Sequence, residues 1–120
     1  MITEVVSGLN SPRSIIVGPD GNFWFNPAFE AELGRLTPAG DLTFFPIPSW
    51  AENIARGHDN TILFTEFGDN KIGEFTTDGV ITESNEFRFS QPTGITAGRG
   101  RSVWFLGYGN DKVYRTAFPR

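Results

Sequence analysis

The chain has 120 residues, with 10 Lys and Arg against 14 Asp and Glu, and it contains no Cys. A disulfide framework and any cysteine-based metal or redox site are therefore excluded, and the length suits one domain. The net charge of −4 offers no basic stripe for phosphates, and no apolar run could span a bilayer, so we expect neither nucleic acid nor a membrane as a partner. The first four residues lack the basic and apolar stretches of a signal peptide, so the location is read as either cytoplasmic or unknown.

The sequence contains three copies of one unit. Residues 18–25 (Gly-Pro-Asp-Gly-Asn-Phe-Trp-Phe) align with residues 57–64, which lie 39 positions later, and with residues 98–105, a further 41 positions on. Other segments match at the same two offsets, so the copies stay in phase. A period of about 40 residues is typical of repeat architectures. The repeats cover about 12–49, 50–90 and 91–120 of a single domain, residues 1–120.

Each copy predicts four short strands, which we name inner, second, third and outer in chain order. The second strand carries a Trp-Phe or Leu-Phe pair, and Asp-Gly, Asp-Asn or Gly-Asn pairs supply tight hairpin turns. The inner strands are expected at 15–17, 54–56 and 95–97, the third strands at 33–36, 72–75 and 113–116, and the outer strands at 42–45 and 81–85. No window holds a capped helical pattern, so helix content should be near zero.

The aromatic pairs predict sheets with two buried faces. Because side chains alternate across a strand, Trp24 and Phe25 must point to opposite faces, and Trp104 and Phe105 likewise. An antiparallel sheet with two apolar faces needs a sheet stacked on each side, which is the arrangement of a β-propeller. We therefore expect Trp24, Trp104, Phe25, Phe64 and Phe105 to form the packing core between blades; the alternative is a channel-facing set that stacks on a sugar.

The two ends of the sequence complement each other. Ile2-Thr3-Glu4 resembles the outer-strand segment Ile81-Thr82-Glu83, whereas the third copy stops after its third strand. The sequence thus predicts that residues 1–6 supply the outer strand of the last blade of a neighbouring chain.

Three blades are too few for a ring. In a ring of three blades, the gap between neighbouring blades would widen by about 26 Å from the inner strand to the outer strand, whereas packed sheets lie about 10 Å apart. We therefore predict an all-β β-propeller with three four-stranded antiparallel blades per chain, closed into a ring by homo-oligomerisation. Two chains would give six blades, the preferred arrangement, and three chains would give nine. The alternative is an open arc of three blades.

Three phrases carry a resemblance to a known family. Pro-Thr-Gly-Ile-Thr-Ala-Gly at 92–98, Gly-Pro-Asp-Gly-Asn-Phe-Trp-Phe at 18–25 and Phe-Thr-Glu followed by Asn-Lys-Ile-Gly within 64–73 resemble the virginiamycin B lyase family of streptogramin lyases. The resemblance covers nearly the whole chain and extends more loosely to NHL and gluconolactonase-like propellers. It implies a single-chain propeller fold of which this chain is about half.

The resemblance implies a lyase mechanism whose residues are mostly replaced here. Family lyases use His at the start of inner strands, together with a Glu and a Mg²⁺ ion near the axis. The matching positions are Arg13, Glu52 and Thr93, none of which is an imidazole base. The family Glu is retained once, as Glu66. Two functions follow: a self-assembling structural or binding scaffold that needs no cofactor, and a Mg²⁺-dependent lyase or lactonase-like hydrolase with Glu66 as its acid or base.

Arg13, Glu52, Thr93 and Glu66 form the candidate binding group, since inner-strand starts and second-strand ends face the central channel of this fold. The simpler interpretation is that Arg13 and Glu52 pair with each other or face solvent, where such pairs contribute about 0 to 1 kcal/mol. His58 is the single histidine and is read as a solvent-exposed turn residue; with Asp59 it is also a weak candidate for binding a transition metal.

Overall fold

The computed structural model describes residues 1–118, in which eleven strands form three antiparallel sheets. The first sheet contains β1 (Pro12–Val17), β2 (Phe23–Pro27), β3 (Glu32–Leu36) and β4 (Leu42–Pro46). The second contains β5 (Asn53–Arg56), β6 (Thr61–Glu66), β7 (Lys71–Thr76) and β8 (Ile81–Glu83), and the third contains β9 (Pro92–Ala97), β10 (Val103–Gly107) and β11 (Lys112–Thr116). In the described part, helical structure is limited to a single 3-10 turn at Phe67–Asp69, so the all-β prediction is confirmed.

Strand order follows chain order in every sheet, so each sheet is a meander and each lies within one predicted repeat. The second outer strand ends at Glu83, two residues earlier than predicted. The reason is Ser84, whose Oγ accepts a hydrogen bond from the Ile72 backbone N–H at 3.0 Å and donates to the Asn85 carbonyl at 2.9 Å. The last two residues of the predicted third repeat, Pro119 and Arg120, lie outside the described residues.

The three sheets stack face to face, and the second sheet is buried on both sides. Its strand β6 sends Phe64 into the core shared with the first sheet and Leu63 into the core shared with the third. Trp24 fills the first core and meets Phe75 edge-on at 5.5 Å between ring centroids. Phe105 fills the second core. The prediction of two apolar faces is thus confirmed for the second sheet.

Glycine makes room for the large rings in two of the sheets. A Cβ atom at Gly34 or Gly73 would collide with the ring of Phe25 or Phe64 on the neighbouring strand. The third sheet has Tyr114 at this position instead, and its ring stacks on Phe105 with 5.0 Å between centroids and 8° between planes. The residue opposite the second-strand Phe therefore contacts its aromatic ring in all three repeats: a glycine leaves space for the ring in two of them, and a tyrosine stacks on it in the third.

The two outermost faces of the stack are not equivalent to the internal ones. Trp104 is 40% exposed in the single chain, although its counterpart Trp24 is 0% exposed, so its packing between blades stays a prediction that depends on a neighbouring chain. Leu106 and Val113 are exposed beside it. On the other outer face Ile15, Val17 and Phe44 are exposed, whereas Phe25 is buried with the ring of Phe44 packed edge-on against it and Leu9 nearby. Within the described residues, no neighbouring sheet covers either outer face.

Residues 1–11 contain no strand, and Met1, Ile2 and Val5 are exposed. The third sheet consists of three strands with β11 at its edge. The described chain is therefore a propeller-like arc of three blades. Ring closure by a second chain and donation of residues 1–6 stay predictions. Within residues 1–118 no helix has the length and apolar character to cross a membrane.

Candidate functional site

The four candidate residues lie at the same end of the sheets. Strand β1 starts at Pro12 opposite Pro27, where β2 ends, and β5 starts at Asn53 opposite Thr65, near the end of β6. Because neighbouring strands are antiparallel, the start of each inner strand and the end of each second strand share one edge. We call this the upper end of the molecule and the opposite edge, with the turns between inner and second strands, the lower end.

Arg13 and Glu52 form an ion pair between the first and second sheets. Arg13 Nη2 lies 2.5 Å from Glu52 Oε1, and the two side chains are 38% and 20% exposed. The sequence offered two interpretations of Arg13 and Glu52, a binding site or a simple pair, and the structure contains the pair. The exposure of both groups limits the net stabilisation to about 0 to 1 kcal/mol. The pair therefore neutralises two of the candidate groups without making either one basic or nucleophilic.

Thr93 contributes its backbone to the upper end. Its carbonyl accepts a hydrogen bond at 2.9 Å from the hydroxyl of Thr65 at the end of β6. Thr65 Oγ1 also accepts a hydrogen bond from the Asn53 backbone N–H at 3.0 Å. One buried hydroxyl thus ties the inner strand of its own sheet to the start of the inner strand in the third sheet.

Asn26 makes the corresponding connection between the first and second sheets, and sequence reasoning missed its role. Its Nδ2 donates to the carbonyls of Ala51 at 2.9 Å and Glu52 at 3.2 Å, and its Oδ1 accepts from the Ser14 N–H at 3.0 Å. Asn26 and Thr65 occupy the same position in their repeats, directly after the aromatic pair or its equivalent. The third repeat has Leu106 there, which cannot form this bond. Aligning the three repeats could have revealed this role, because Asn26 and Leu106 stand where the second repeat has Thr65.

Glu66 is enclosed rather than open to a channel, which corrects the sequence prediction. It ends β6 opposite Lys71, and its side chain is 0% exposed. Neither of its carboxyl oxygens accepts a hydrogen bond from a donor group in the described residues, and the same is true of Glu83 Oε2; the two carboxyl groups can share a hydrogen bond with each other when one of them is protonated. The enclosure arises because Glu66 and Glu83 lie on the same face of the second sheet, the one that packs against the first sheet. An isolated carboxylate in such a place is much costlier than a neutral carboxyl group.

Burial raises the pKa of Glu66 to about 9, and the nearby carboxyl group of Glu83 and the charge of Asp69 act in the same direction, against a smaller opposing effect of Lys71. Glu66 is therefore protonated at neutral pH. A neutral carboxyl group can donate a proton or a hydrogen bond, but this one is out of reach of solvent.

His58 lies at the lower end and is half-buried, so the prediction of a solvent-exposed turn residue was wrong. Its Nε2 lies 2.8 Å from the backbone carbonyl of Ser102 in the third sheet. Asp59, the next residue, is 3.4 Å from Arg101 Nη2. Both side chains of the weak metal candidate thus contact the next sheet. Among residues 1–118 no three His, Cys, Asp or Glu side chains gather into a possible metal site.

A row of four aromatic rings crosses the upper end over all three sheets. The ring centroids are 5.1 Å apart for Phe29 and Trp50, 5.6 Å for Trp50 and Phe67, and 6.3 Å for Phe67 and Tyr108. Phe29 and Tyr108, at the two ends, are exposed, and Phe29 has a left-handed backbone with φ of 59°. Sequence reasoning missed this row, because the four rings come from connecting loops. Such rings offer a surface on which apolar or planar groups can stack.

Comparison with known proteins assigns the family. The model of the virginiamycin B lyase family matches residues 2–118, so the chain belongs to this family and the resemblance seen in the sequence is confirmed. No curated protein sequence matches the chain significantly.

Solved structures give the same assignment. A catalytically inactive variant of virginiamycin B lyase from Staphylococcus aureus, with quinupristin, is 38% identical with a TM-score of 0.82, and the match covers 88% of this chain and 38% of that one. A streptogramin B lyase structure is 28% identical with a TM-score of 0.79, over 92% of this chain and 42% of that one. The chain thus spans about two fifths of the length of these relatives.

Proposed function

We propose that this member of the virginiamycin B lyase family is a self-assembling part of a β-propeller that acts as a structural or binding scaffold. Two copies closing a six-blade ring are the preferred arrangement, and three copies closing nine blades come second. The observation that carries the proposal is the contrast between Trp24, which is 0% exposed between two sheets, and Trp104, which is 40% exposed at the same repeat position.

The outer faces support assembly because each one presents several exposed apolar side chains. One face presents Trp104, Leu106 and Val113, and the other presents Ile15 and Val17. Four strands of ordinary length and spacing give about 350 Å² per face, which is near the limit that a soluble monomer tolerates. Two junctions in a two-chain ring would bury about 1,400 Å² in total, the size of a stable interface.

The free edge of the third sheet supports a strand exchange. Strand β11 has no neighbour on its outer side among the described strands, and residues 1–6 are largely exposed. Their Ile-Thr-Glu sequence matches β8, the outer strand of the second sheet. Residues 1–6 of one copy are therefore suited to pair with β11 of another, which would complete its blade.

A scaffold is favoured over a catalyst by the groups at the upper end. Arg13 and Glu52 neutralise each other, and Thr93 takes part through its backbone. The single histidine of the sequence, His58, lies at the opposite end with Nε2 against a carbonyl. No imidazole therefore stands at the three positions where the family resemblance implies one.

Multi-angle light scattering tests the proposal directly. We expect a mass of about twice the 13.3 kDa of one chain, or about three times in the second arrangement. Deletion of residues 1–6 should return the chain to 13.3 kDa and lower its melting temperature, while deletion of residue 1 alone serves as the control. A folded, monodisperse wild-type chain of 13.3 kDa at all concentrations would contradict the assembly.

A second candidate function is a lyase or lactonase-like hydrolase, favoured by the protonated Glu66. A buried carboxyl group with a pKa raised to about 9 is a suitable general acid at neutral pH. The residues do not fit a Mg²⁺ ion, however, because the oxygens of Glu66 are closed off and no cluster of three possible ligands forms within residues 1–118. Linearisation of a streptogramin B by the chain, lost in Glu66→Gln, would replace the scaffold proposal with this one.

A further inference from the structure

The repeats that form the two outer faces of the stack differ in net charge. Residues 91–120 contain five Lys or Arg and one Asp, a net charge of +4, whereas residues 12–49 contain two Arg and four Asp or Glu, a net charge of −2. On the third sheet, Arg99, Arg101 and Arg115 line one cavity of about 560 Å³ together with Trp104. The first sheet carries the exposed Asp20 and Asp41 in its lower turns. The first and third repeats thus carry net charges of opposite sign.

Trp104 and Arg115 reproduce a pair that is already used inside the stack. The Arg115 guanidinium lies 5.5 Å from the Trp104 ring centroid, and Arg35 lies 5.9 Å from Trp24, its counterpart in the first repeat. The Trp24 ring packs against Phe75 of the second sheet, so this pair faces the next sheet in the stack. The Trp104 pair has a similar ring-to-guanidinium distance but faces no sheet formed by the described residues.

The lower turns show how the next sheet is recognised. His58 reaches the carbonyl of Ser102 in the following sheet, and Asp59 pairs with Arg101 there. Arg99 holds the position of His58 in the third repeat, and Asn22 holds the position of Ser102 in the first. A first sheet docked on the third in the same way would thus place Arg99 against the turn at residues 20–22, which carries the carboxylate of Asp20.

We propose that Arg99, Trp104, Leu106 and Arg115 form a docking surface for the first sheet of a second copy, with Arg99 facing Asp20 of that copy. This proposal rests on the proposed self-assembly and specifies which faces meet and which charges recognise each other. Asp20 suits this role because it is exposed and ionised. Burial acts to raise its pKa, but hydrogen bonds from Trp24 Nε1 and from Asn22 lower it on balance.

Charge reversal separates this proposal from assembly in general. Arg99→Glu should weaken self-association at least tenfold by analytical ultracentrifugation in about 0.05 M salt, and the difference from wild type should shrink in about 0.5 M salt because screening removes the attraction. The matched control is Arg88→Glu, an exposed arginine outside this face, which should associate like the wild type. Trp104→Ala should weaken association in both salt conditions, because it removes apolar contact area.

The double variant Arg99→Glu with Asp20→Arg should recover association that either change alone removes. Asp20→Asn serves as its folding control, because Asp20 also accepts the Trp24 Nε1 hydrogen bond. Unchanged association in Arg99→Glu and Trp104→Ala, in a chain whose wild type does assemble, would overturn this docking surface and leave self-assembly standing. A wild-type chain that stays monomeric would overturn both proposals.

Discussion

Trp24 and Trp104 occupy the same position of two repeats and share an arginine over the ring, yet one is buried and the other is exposed. Trp24 has the second sheet against it, and among residues 1–118 no sheet lies on the side of Trp104. The comparison teaches that the sequence of a blade determines which side chains lie on each face of its sheet, whereas the neighbouring blade determines whether that face is buried or exposed to solvent. The internal junction and the outer face should consequently respond differently to the same substitution.

The largest expected effect is the difference between Trp24→Ala and Trp104→Ala. Removing Trp24 leaves a cavity in the core and should lower the free energy of unfolding by about 3 to 5 kcal/mol. Removing the exposed Trp104 should cost less than about 1 kcal/mol in the unassembled chain. Urea unfolding at low protein concentration measures both. Equal losses would mean that the third sheet has a partner under those conditions.

The next effect concerns Glu66, which is buried at the internal junction. Its pKa is about 9 in the folded chain, against 4.5 for an unperturbed glutamic acid side chain. Between these values the folded chain holds a proton that the unfolded chain releases, so stability is fully present below about pH 4.5 and falls as pH rises towards 9, by up to about 1.4 kcal/mol per unit.

Glu66→Gln removes this loss, and we expect it to be more stable than wild type by up to about 5 kcal/mol at pH 8 and similar to wild type at pH 4. Thermal and urea unfolding across this pH range provide the measurement, with Glu86→Gln, an exposed carboxylate, as the control. A stability difference that does not change with pH would show that Glu66 is ionised in the folded chain.

A smaller effect should separate Asn26 from Leu106. Asn26→Leu leaves the carbonyls of Ala51 and Glu52 without its hydrogen bonds and should lower the free energy of unfolding by about 1 to 2 kcal/mol. The reciprocal change Leu106→Asn, on the exposed face, should alter the stability of the isolated chain by less than about 0.5 kcal/mol. Comparable losses in the two variants would remove the distinction between an internal junction and an outer face at this position.

The smallest effect is expected for the ion pair of Arg13 and Glu52. A double-mutant cycle with Arg13→Ala and Glu52→Ala should give a coupling energy below about 1 kcal/mol that decreases in high salt, because both groups are partly exposed. A coupling of several kcal/mol would indicate that the upper end is closed from solvent, as it would be inside an assembled ring.

Much of the fold could be predicted from the sequence, because the residues that indicate strands and turns lie close together in the chain and recur in each repeat. The turn residues and the aromatic pairs recur in phase, and this determines the strands and the faces on which Phe64 and Leu63 lie. The pairing of Arg13 with Glu52 was one of the sequence interpretations, since both stand at the start of consecutive inner strands.

The features that sequence reasoning misjudged depend on contacts between distant segments. The enclosure of Glu66 requires Glu83 from another strand, and the burial of His58 requires the Ser102 carbonyl of the next sheet. The aromatic row is built from loops, whose rings follow no strand periodicity. The burial of Trp104 could not be judged from the sequence pattern, because the pattern shows that a face is apolar but does not show what covers it.

The first and third sheets present different surfaces to the outside, so any contact between copies through them has a direction. Such head-to-tail contacts have two outcomes. If the rotation from one copy to the next adds up to a full turn, the copies form a closed ring; if it does not, they continue as an open filament. The angle between the first and third sheets of one chain, more than the strength of the contact between copies, therefore decides whether the assembly has a fixed number of subunits or grows without limit.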